Sequence, residues 1–438
     1  MKITIVGTGY VGLVSGVCFA ELGHDVTCID TNKDKIEGLK RGIVPIYEPG
    51  LDALIEKNVA VGRLHFSTSL SDNIAGRQAI FIAVGTPTAP DGISADLKYV
   101  FAVAAEIAPH LSSPAVIVTK STVPVLTNKA VEEKILAVNP KAQFYICSNP
   151  EFLREGSAID DFIKPDRIVI GVRNERARKV MEDLYAPLTS KGAPLLCTTP
   201  ESAELIKYAS NAFLATKVAF INEVADVAEK TGGNIADIAK GVGLDSRIGP
   251  KFLQAGPGYG GSCFPKDTKA FAHIAATQKV PSRIVEAVIA SNDDRKHSMA
   301  GRIAHVIGGA SGRKIAILGV TFKANTDDMR DSVALDIIPA LLQQGAEIHA
   351  FDPAAEHQAH GELPKEVVWH DDMNATYKDA DAIVLLTEWP QFESVDLKRA
   401  AKEMRGKTLV DLRNFFDARQ AVACGFDYYA IGHGKQSQ

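Results

Sequence analysis

An α/β fold built from two Rossmann-like, doubly wound domains, joined by a long central helix and a helical region, is what this sequence predicts. Three observations predict it. Short Val/Ile-rich runs alternate with amphipathic helical stretches through the first 200 residues, the pattern of parallel strands covered by helices on both faces. From Pro200 to Lys230 the chain then carries no glycine and no internal proline. Beyond Gly308-Gly309-Ala310-Ser311-Gly312 the alternation starts again, and Lys314-Ile315-Ala316-Ile317-Leu318-Gly319 echoes Lys2-Ile3-Thr4-Ile5-Val6-Gly7.

In chain order, the first half predicts strands at Lys2–Val6, Asp25–Ile29, Ala79–Ala83, Ala115–Thr119, Phe144–Cys147, Arg167–Ile170 and Pro194–Cys197. Pro200 suits a first helical turn, Thr198 or Thr199 can cap it, and Gly232-Gly233 supplies the stop. A helix of roughly 30 residues is about 45 Å long, too long for the interior of one small domain. Such a helix bridges domains or builds an oligomer interface. Further helical segments run to about Asn292. The second half predicts strands at Lys314–Leu318, Glu347–Phe351, Ala382–Leu386, Thr408–Asp411 and Tyr428–Ile431. A length of 438 residues fits roughly three domains at ~150 each. Their expected limits are 1–199, 200–300 and 312–438.

Composition narrows the class. With 46% hydrophobic and 23% charged residues the chain reads as an ordinary globular protein rather than a disordered or fibrous one. A net charge of −5 lacks the electrostatic footprint of a nucleic-acid binder. No apolar run approaches the ~20 residues needed to span a bilayer, and the N-terminus turns to glycine too early for a secretory signal. Six cysteines at no metal-like spacing place the protein in a reducing cytoplasm. None of the 11 histidines is assigned to a metal or to acid–base work.

Gly7-x-Gly9-x-x-Gly12 follows a strand and opens a helix. The first glycine makes a tight turn, the second admits a pyrophosphate, and the third lets helix and strand pack closely. Asp30 ends the second strand 18 residues after Gly12. A carboxylate there accepts from a ribose 2′-hydroxyl and repels a 2′-phosphate, so the expected cofactor is NAD rather than NADP. In the second half, Gly319 to Asp352 spans 33 positions against 23 from Gly7 to Asp30. The insertion Thr321–Arg330 replaces the fingerprint, so that half is expected to bind a different ligand.

Three loops at strand C-termini carry small and polar residues: Gly85–Thr88, Lys120–Pro124 and Ser148–Glu155. Ligands of open α/β sheets sit at this edge. Glu151 and Glu155 are four apart and share a face if a helix starts there. On the long helix Glu204, Lys207 and Asn211 fall on one face among apolar neighbours, which points Lys207 at a ligand rather than at solvent. The most informative segment is Gly256-Pro257-Gly258-Tyr259-Gly260-Gly261-Ser262-Cys263-Phe264-Pro265-Lys266-Asp267. It puts Cys263 just before a predicted helix over 265–276, where the helix dipole favours the nucleophilic thiolate. Asp267 lies one turn on. Cys18, Cys28, Cys147 and Cys197 read as small buried hydrophobes, and Cys424 is left without a role.

In these motifs the chain resembles the UDP-glucose/GDP-mannose dehydrogenase family, and within it the UDP-glucose 6-dehydrogenases. The marks are Gly-Thr-Gly-Tyr-Val-Gly at 7–12, Ser-Thr-Val-Pro at 121–124, Asn-Pro-Glu-Phe-Leu-Arg-Glu-Gly at 149–156, Glu-Leu-Ile-Lys-Tyr-Ala-Ser-Asn-Ala at 204–212 and Gly-Gly-Ser-Cys-Phe-Pro-Lys-Asp at 260–267. The resemblance implies an N-terminal NAD domain, a C-terminal UDP domain, and a long helix that joins them within a helical dimerisation region. The implied reaction is UDP-glucose + 2 NAD + water → UDP-glucuronate + 2 NADH, with Cys263 forming a thiohemiacetal and then a thioester. It implies oxyanion stabilisation by Lys207 and Asn211, and water and proton handling by Asp267, Thr122 and Glu151. NAD contacts would come from Gly7, Gly9, Tyr10, Val11, Gly12, Asp30, Lys35, Thr86, Thr122, Glu155 and Arg330. Substrate contacts would come from Glu151, Phe152, Leu153, Glu155, Lys207, Asn211, Phe252, Tyr259, Gly260, Cys263, Lys323 and Arg413, with Arg247 reaching the neighbouring subunit's substrate. Gln254 stands where some members have Lys, so that phosphate contact is not carried over.

Two other classes are weaker. A two-electron hydroxyacid dehydrogenase does not need Cys263. A non-enzymatic NAD sensor could lose Cys263, Lys207 and Asp267 together, and all three are present. GDP-mannose or UDP-N-acetylmannosamine remains the alternative substrate for the same chemistry.

Overall fold

The structure, a computed structural model, describes residues 1–433. It divides into two compact units, Met1–Ser210 and Asn211–Gln438. The first unit holds β1 (Lys2–Val6), β2 (Asp25–Ile29), β3 (Leu64–Ser67), β4 (Ala79–Ile82), β5 (Ala115–Thr119), β6 (Phe144–Ser148), β7 (Ile168–Val172) and β8 (Leu195–Thr198). Their order is β3-β2-β1-β4-β5-β6-β7-β8. The order reverses between β1 and β4, which opens a crevice beyond the C-terminal ends of these strands. The apolar strand residues behave as the pattern requires. Ile3, Ile5, Val26, Cys28, Ile80, Phe81, Ile117 and Val118 are fully buried.

Two features differ from the sequence reading. β3 was not foreseen, because Leu64-His65-Phe66-Ser67 is a short edge strand whose alternate residues face solvent. The sheet is also not wholly parallel, since β6 and β7 pair antiparallel through Cys147–Val172 and Ser148–Gly171. The connection between them contains only the six-residue helix Ala158–Ile163. It turns at the C-terminal edge instead of crossing over, which keeps residues 149–157 at the mouth of the crevice.

The helix Pro200–Thr231 has 32 residues and crosses from the first unit into the second. Thr199 Oγ1 accepts from the Ser202 N–H at 3.2 Å as the cap, and Gly232 takes φ +80° at the stop. Its packing face is dominated by buried alanines, among them Ala203, Ala212, Ala215, Ala219, Ala225 and Ala228. Ile235–Gly243, Phe264–Thr277 and Arg283–Val306 follow, so the helical region runs past Asn292 to Val306.

The second unit's sheet is β9 (Lys314–Leu318), β10 (Glu347–Phe351), β11 (Val368–Trp369), β12 (Ala382–Leu385), β13 (Thr408–Asp411) and β14 (Asp427–Ala430). The order β11-β10-β9-β12-β13-β14 is parallel throughout and repeats the reversal of the first sheet. β11, only two residues long, was not foreseen. No described helix is long and apolar enough to cross a membrane.

Candidate active site

The glycine loop sorts its three glycines by physical cause. A Cβ at Gly12 would lie 1.9 Å from the Gly7 carbonyl oxygen, so this glycine is demanded by packing of helix Tyr10–Glu21 on β1. A Cβ at Gly9 would meet nothing within 4 Å. Protein packing does not explain that glycine, whereas close approach of a pyrophosphate to bare backbone does. Asp30 ends β2 beside this loop. Its Oδ2 accepts from the Thr8 N–H at 3.0 Å and the Thr8 hydroxyl at 2.7 Å, and Lys35 Nζ stands 3.6 Å away. Burial pushes the Asp30 carboxyl up, but the Thr8 and Asn32 donors and Lys35 outweigh it and hold it below the usual range. The loop therefore fits NAD, offering bare backbone for phosphate and an ionised acceptor for a ribose. Tyr10 and Val11 form the first turn of the helix. The Tyr10 hydroxyl bonds the buried Glu48 carboxylate, which also accepts from the Gly156 and Ala158 N–H groups, each at 2.7 Å. Sequence reasoning missed Glu48, because a lone Glu in a loop carries no signal.

The corresponding aspartate of the second sheet is closed off. Asp352 accepts from the Val320 N–H at 2.7 Å, the Thr321 N–H and hydroxyl, the Trp389 indole at 3.2 Å and the Ala354 and Ala355 N–H groups. Protein donors occupy this carboxylate, so it is not a ribose acceptor. The two halves share strand topology and differ in ligand chemistry.

At the C-terminal edge of the first sheet the Thr86 hydroxyl donates to the Thr122 carbonyl at 2.9 Å. Lys207 Nζ lies 2.7 Å from Glu151 Oε1, both side chains being buried. Burial pushes Glu151 up, yet the Lys207 charge and hydrogen bond, the Leu153 N–H and the more distant Lys120 overcome it and hold the carboxyl below its ordinary range. The Phe152 ring carries Arg167 over its face at 3.5 Å and Lys207 at 5.6 Å. The shared helical face expected for Glu151 and Glu155 is not present. Leu153 N–H turns back to Glu151 Oε2 at 2.6 Å and Arg154 N–H goes to Asp161 at 2.8 Å, so side chains take the donors that a helix would need. Glu155 sits half-buried in the following turn. Glu204, on the same helix as Lys207, accepts from the N–H groups of Leu126 and Asn128 and fastens the start of helix Thr127–Val138.

In the second unit Cys263 is the N-cap residue of helix Phe264–Thr277 and is partly exposed. The Asp267 N–H donates to its carbonyl at 2.8 Å. Asp267 is fully buried and accepts from Asn211 Nδ2 at 2.6 Å, with Lys266 Nζ at 3.0 Å. Three of the residues expected to act together are thus assembled by one helix start and one helix face. The Phe264 ring packs between Phe252 and Tyr259, at 6.0 and 5.9 Å. Buried side chains of the flanking helices hold the loop backbone. Asn222 accepts from the Gly256 N–H, Arg295 donates to the Gly256 carbonyl, and Asn292 bonds both the N–H and the carbonyl of Tyr259. These polar groups at core-facing helix positions were legible in principle and were missed.

The glycines of this loop have a cause inside the chain. A Cβ at Gly260 would lie 2.2 Å from the Asp331 carbonyl oxygen, and one at Gly261 would meet the Phe322 ring at 2.6 Å. The bare backbone approaches the segment 322–332 of the same unit, which holds most of the insertion and the two residues after it. Lys323 Nζ lies 5.5 Å over the Phe322 ring, and Arg413 donates to the carbonyls of Leu386 and Phe322. The Arg330 carbonyl accepts from Gly261 N–H while its side chain pairs with Asp328. Arg247 stands apart, 86% exposed at its side chain and paired with Asp245.

The remaining cysteines contrast with Cys263. Burial pushes the thiols of Cys18 and Cys28 up to about 12, and those of Cys147 and Cys197 upward as well. Cys424, partly exposed, closes the Ala418–Ala423 helix.

Residues 1–189 match the NAD binding domain of the UDP-glucose/GDP-mannose dehydrogenase family, 201–294 its central domain and 316–418 its UDP binding domain. The chain is 51% identical over 435 residues to the UDP-glucose 6-dehydrogenase of Rhizobium meliloti strain 1021, covering 99% of each. It superposes on the structure of a UDP-glucose dehydrogenase from Pyrobaculum islandicum with TM-score 0.91 at 40% identity, covering 99% of this chain and 98% of that one. A UDP-D-ManNAc dehydrogenase from Pyrococcus horikoshii matches with TM-score 0.86 at 26% identity, over 99% and 100% of the two chains.

Proposed function

The chain belongs to the UDP-glucose/GDP-mannose dehydrogenase family, and from that membership we propose that it oxidises UDP-glucose to UDP-glucuronate with two NAD per turnover. The observation that carries the reaction type is the pairing, in one chain, of a glycine loop open at Gly9 with an N-cap thiol at Cys263. A four-electron oxidation of an alcohol needs both. The substrate is supported by the 51% identity to a UDP-glucose 6-dehydrogenase.

Gly7, Gly9, Tyr10, Val11, Gly12, Asp30, Lys35, Thr86, Thr122, Glu155 and Arg330 would hold NAD, which would supply the hydride acceptor. The chain's own groups do the rest. The first two-electron oxidation turns the primary alcohol of the sugar into an aldehyde, and Cys263 Sγ adds to its carbon and forms a thiohemiacetal. A second oxidation makes this a thioester, and water releases the carboxylate and the free thiol. Lys207 and Asn211 donate to the oxyanions, at ~3 kcal/mol per well-placed donor. Asp267, Thr122 and Glu151 hold water and move protons. Phe152, Leu153, Phe252, Tyr259, Gly260, Lys323 and Arg413 recognise the nucleotide sugar. The division of labour follows residues 1–199 for NAD, 200–300 for the thiol loop and assembly, and 312–438 for UDP, the last five residues lying outside those described.

The working form is a homodimer or larger, with Arg247 reaching the neighbour's substrate. Leu205, Phe213, Phe220 and Val227 recur at spacings of eight, seven and seven on the long helix and are 41, 65, 56 and 61% exposed, an apolar stripe suited to a second copy. The enzyme works in the cytoplasm, a reading supported by its cysteine usage. NADH formation against UDP-glucose, UDP-N-acetylmannosamine and GDP-mannose tests the substrate. Turnover of UDP-glucose at least tenfold above the others is expected, and preference for either other sugar overturns the choice.

A further inference from the structure

One buried charge has no part in the reaction as described. Lys120, the residue after β5, is 4% exposed. Its Nζ donates to Asn149 Oδ1 at 3.1 Å and to the Tyr185 hydroxyl at 3.4 Å, and it lies 5.8 Å from the centre of the Phe162 ring. Tyr185 donates to the same Asn149 oxygen at 2.6 Å, and Asn149 Nδ2 donates to the Val169 carbonyl at 2.8 Å. All these partners are neutral. Among the described residues no carboxylate forms an ion pair with Lys120. An ammonium buried against neutral acceptors alone is costly to keep.

The ionisable groups that act on Lys120 are Glu151, Lys207 and Cys147, with Tyr185 in direct contact. Burial lowers the Lys120 ammonium, Glu151 and Cys147 oppose it and the neighbouring Lys207 adds to it, and together they bring the group down to about 8. Glu151 is the one carboxylate in this set, two residues beyond Asn149 in the same turn.

We propose that Lys120 is a positioning residue for the dehydrogenase reaction: its grip on Asn149 fixes the turn that presents Glu151 to Lys207, and its charge keeps Glu151 ionised there. The proposal rests on the dehydrogenase reading only in taking Glu151 and Lys207 as working groups. Lys120 itself is buried, and it acts through Asn149 and Glu151.

The test is kcat against pH for the full-length enzyme and for Lys120→Met, Lys120→Arg, Asn149→Asp and Tyr185→Phe. Lys120→Met removes a cation from Glu151, so the acid limb of kcat should move up by about one pH unit. Neutral-pH kcat should fall roughly tenfold while KM for NAD stays within about twofold. Lys120→Arg should restore the limb, and Tyr185→Phe, which removes no charge, should leave it in place. Asn149→Asp neutralises the ammonium without removing it and should raise the limb too, which covers a Lys120→Met protein that fails to fold. An unmoved limb in Lys120→Met or Asn149→Asp overturns the proposal, as does Lys120→Arg behaving like Lys120→Met. If the unaltered protein does not turn over UDP-glucose, the dehydrogenase reading fails instead. The Glu151 carboxyl infrared band, identified against Glu151→Gln, then reads the same shift without turnover.

Discussion

The Lys207 ammonium and the Glu151 carboxylate stand 2.7 Å apart with each side chain 4% exposed. Removing one member of such a pair leaves a bare charge in the interior, which costs about 3–5 kcal/mol. Lys207→Ala should therefore lose unfolding free energy in this range and unfold at lower urea, and Lys207→Ala/Glu151→Ala should lose less than the sum of the two single variants. The Glu151 carboxyl is held below its ordinary range, so its contribution to stability is present above about pH 4.3 and is lost as pH falls through the depressed value. Urea melts at several pH values measure both effects. A Lys207→Ala protein as stable as the unaltered one contradicts the pairing.

The glycine loop separates folding from binding. Gly12→Ala puts a methyl 1.9 Å from the Gly7 carbonyl oxygen and should fail to fold or melt far earlier. Gly9→Ala meets no protein atom within 4 Å and should melt normally while losing NAD binding by tenfold or more, on the order of 1.4 kcal/mol. Thermal melts beside calorimetric titration with NAD distinguish the two. Normal NAD affinity in Gly9→Ala would sink the cradle assignment.

Asp30 should set cofactor choice. Its ionised carboxylate repels a 2′-phosphate, so NADP should be a poor substitute, and Asp30→Ser should narrow the gap in kcat/KM. Because Asp30 is held below the usual carboxylate range, the discrimination should persist down to about pH 3.9 wherever the protein stays folded. Equal kcat/KM for the two cofactors in the unaltered enzyme contradicts this.

The second sheet's closure of Asp352 shows which features were legible and which were not. The repeat of β1–β2 in β9–β10 was readable, because buried strands and their terminal aspartates leave a pattern in the chain itself. The enclosure of Asp352 by protein donors was not, since Trp389 reaches it from 37 residues away. The antiparallel β6–β7 pair was hidden for a related reason: a buried strand looks the same in either direction. Spacing predicted a shared helical face for Glu151 and Glu155, and side-chain acceptors at Glu151 and Asp161 captured the backbone donors instead. Cys263 was found by its glycine-rich setting, although the glycines at 260 and 261 answer to Asp331 and Phe322 of the same unit.

The apolar stripe on the long helix should be an interface. Phe220→Asp should yield monomers in analytical ultracentrifugation. Arg247→Ala, by contrast, should keep the oligomer and raise KM for the UDP-sugar more than KM for NAD. A fully active monomer would remove the stripe and Arg247 from the account together.

The most direct test of the central claim counts NADH per sugar consumed. If Cys263 captures the aldehyde, each UDP-glucose should yield two NADH and one UDP-glucuronate with no aldehyde released. Cys263→Ala should lose acid formation while still binding NAD through the separate glycine loop. One NADH per sugar, or acid made at the normal rate by Cys263→Ala, contradicts it.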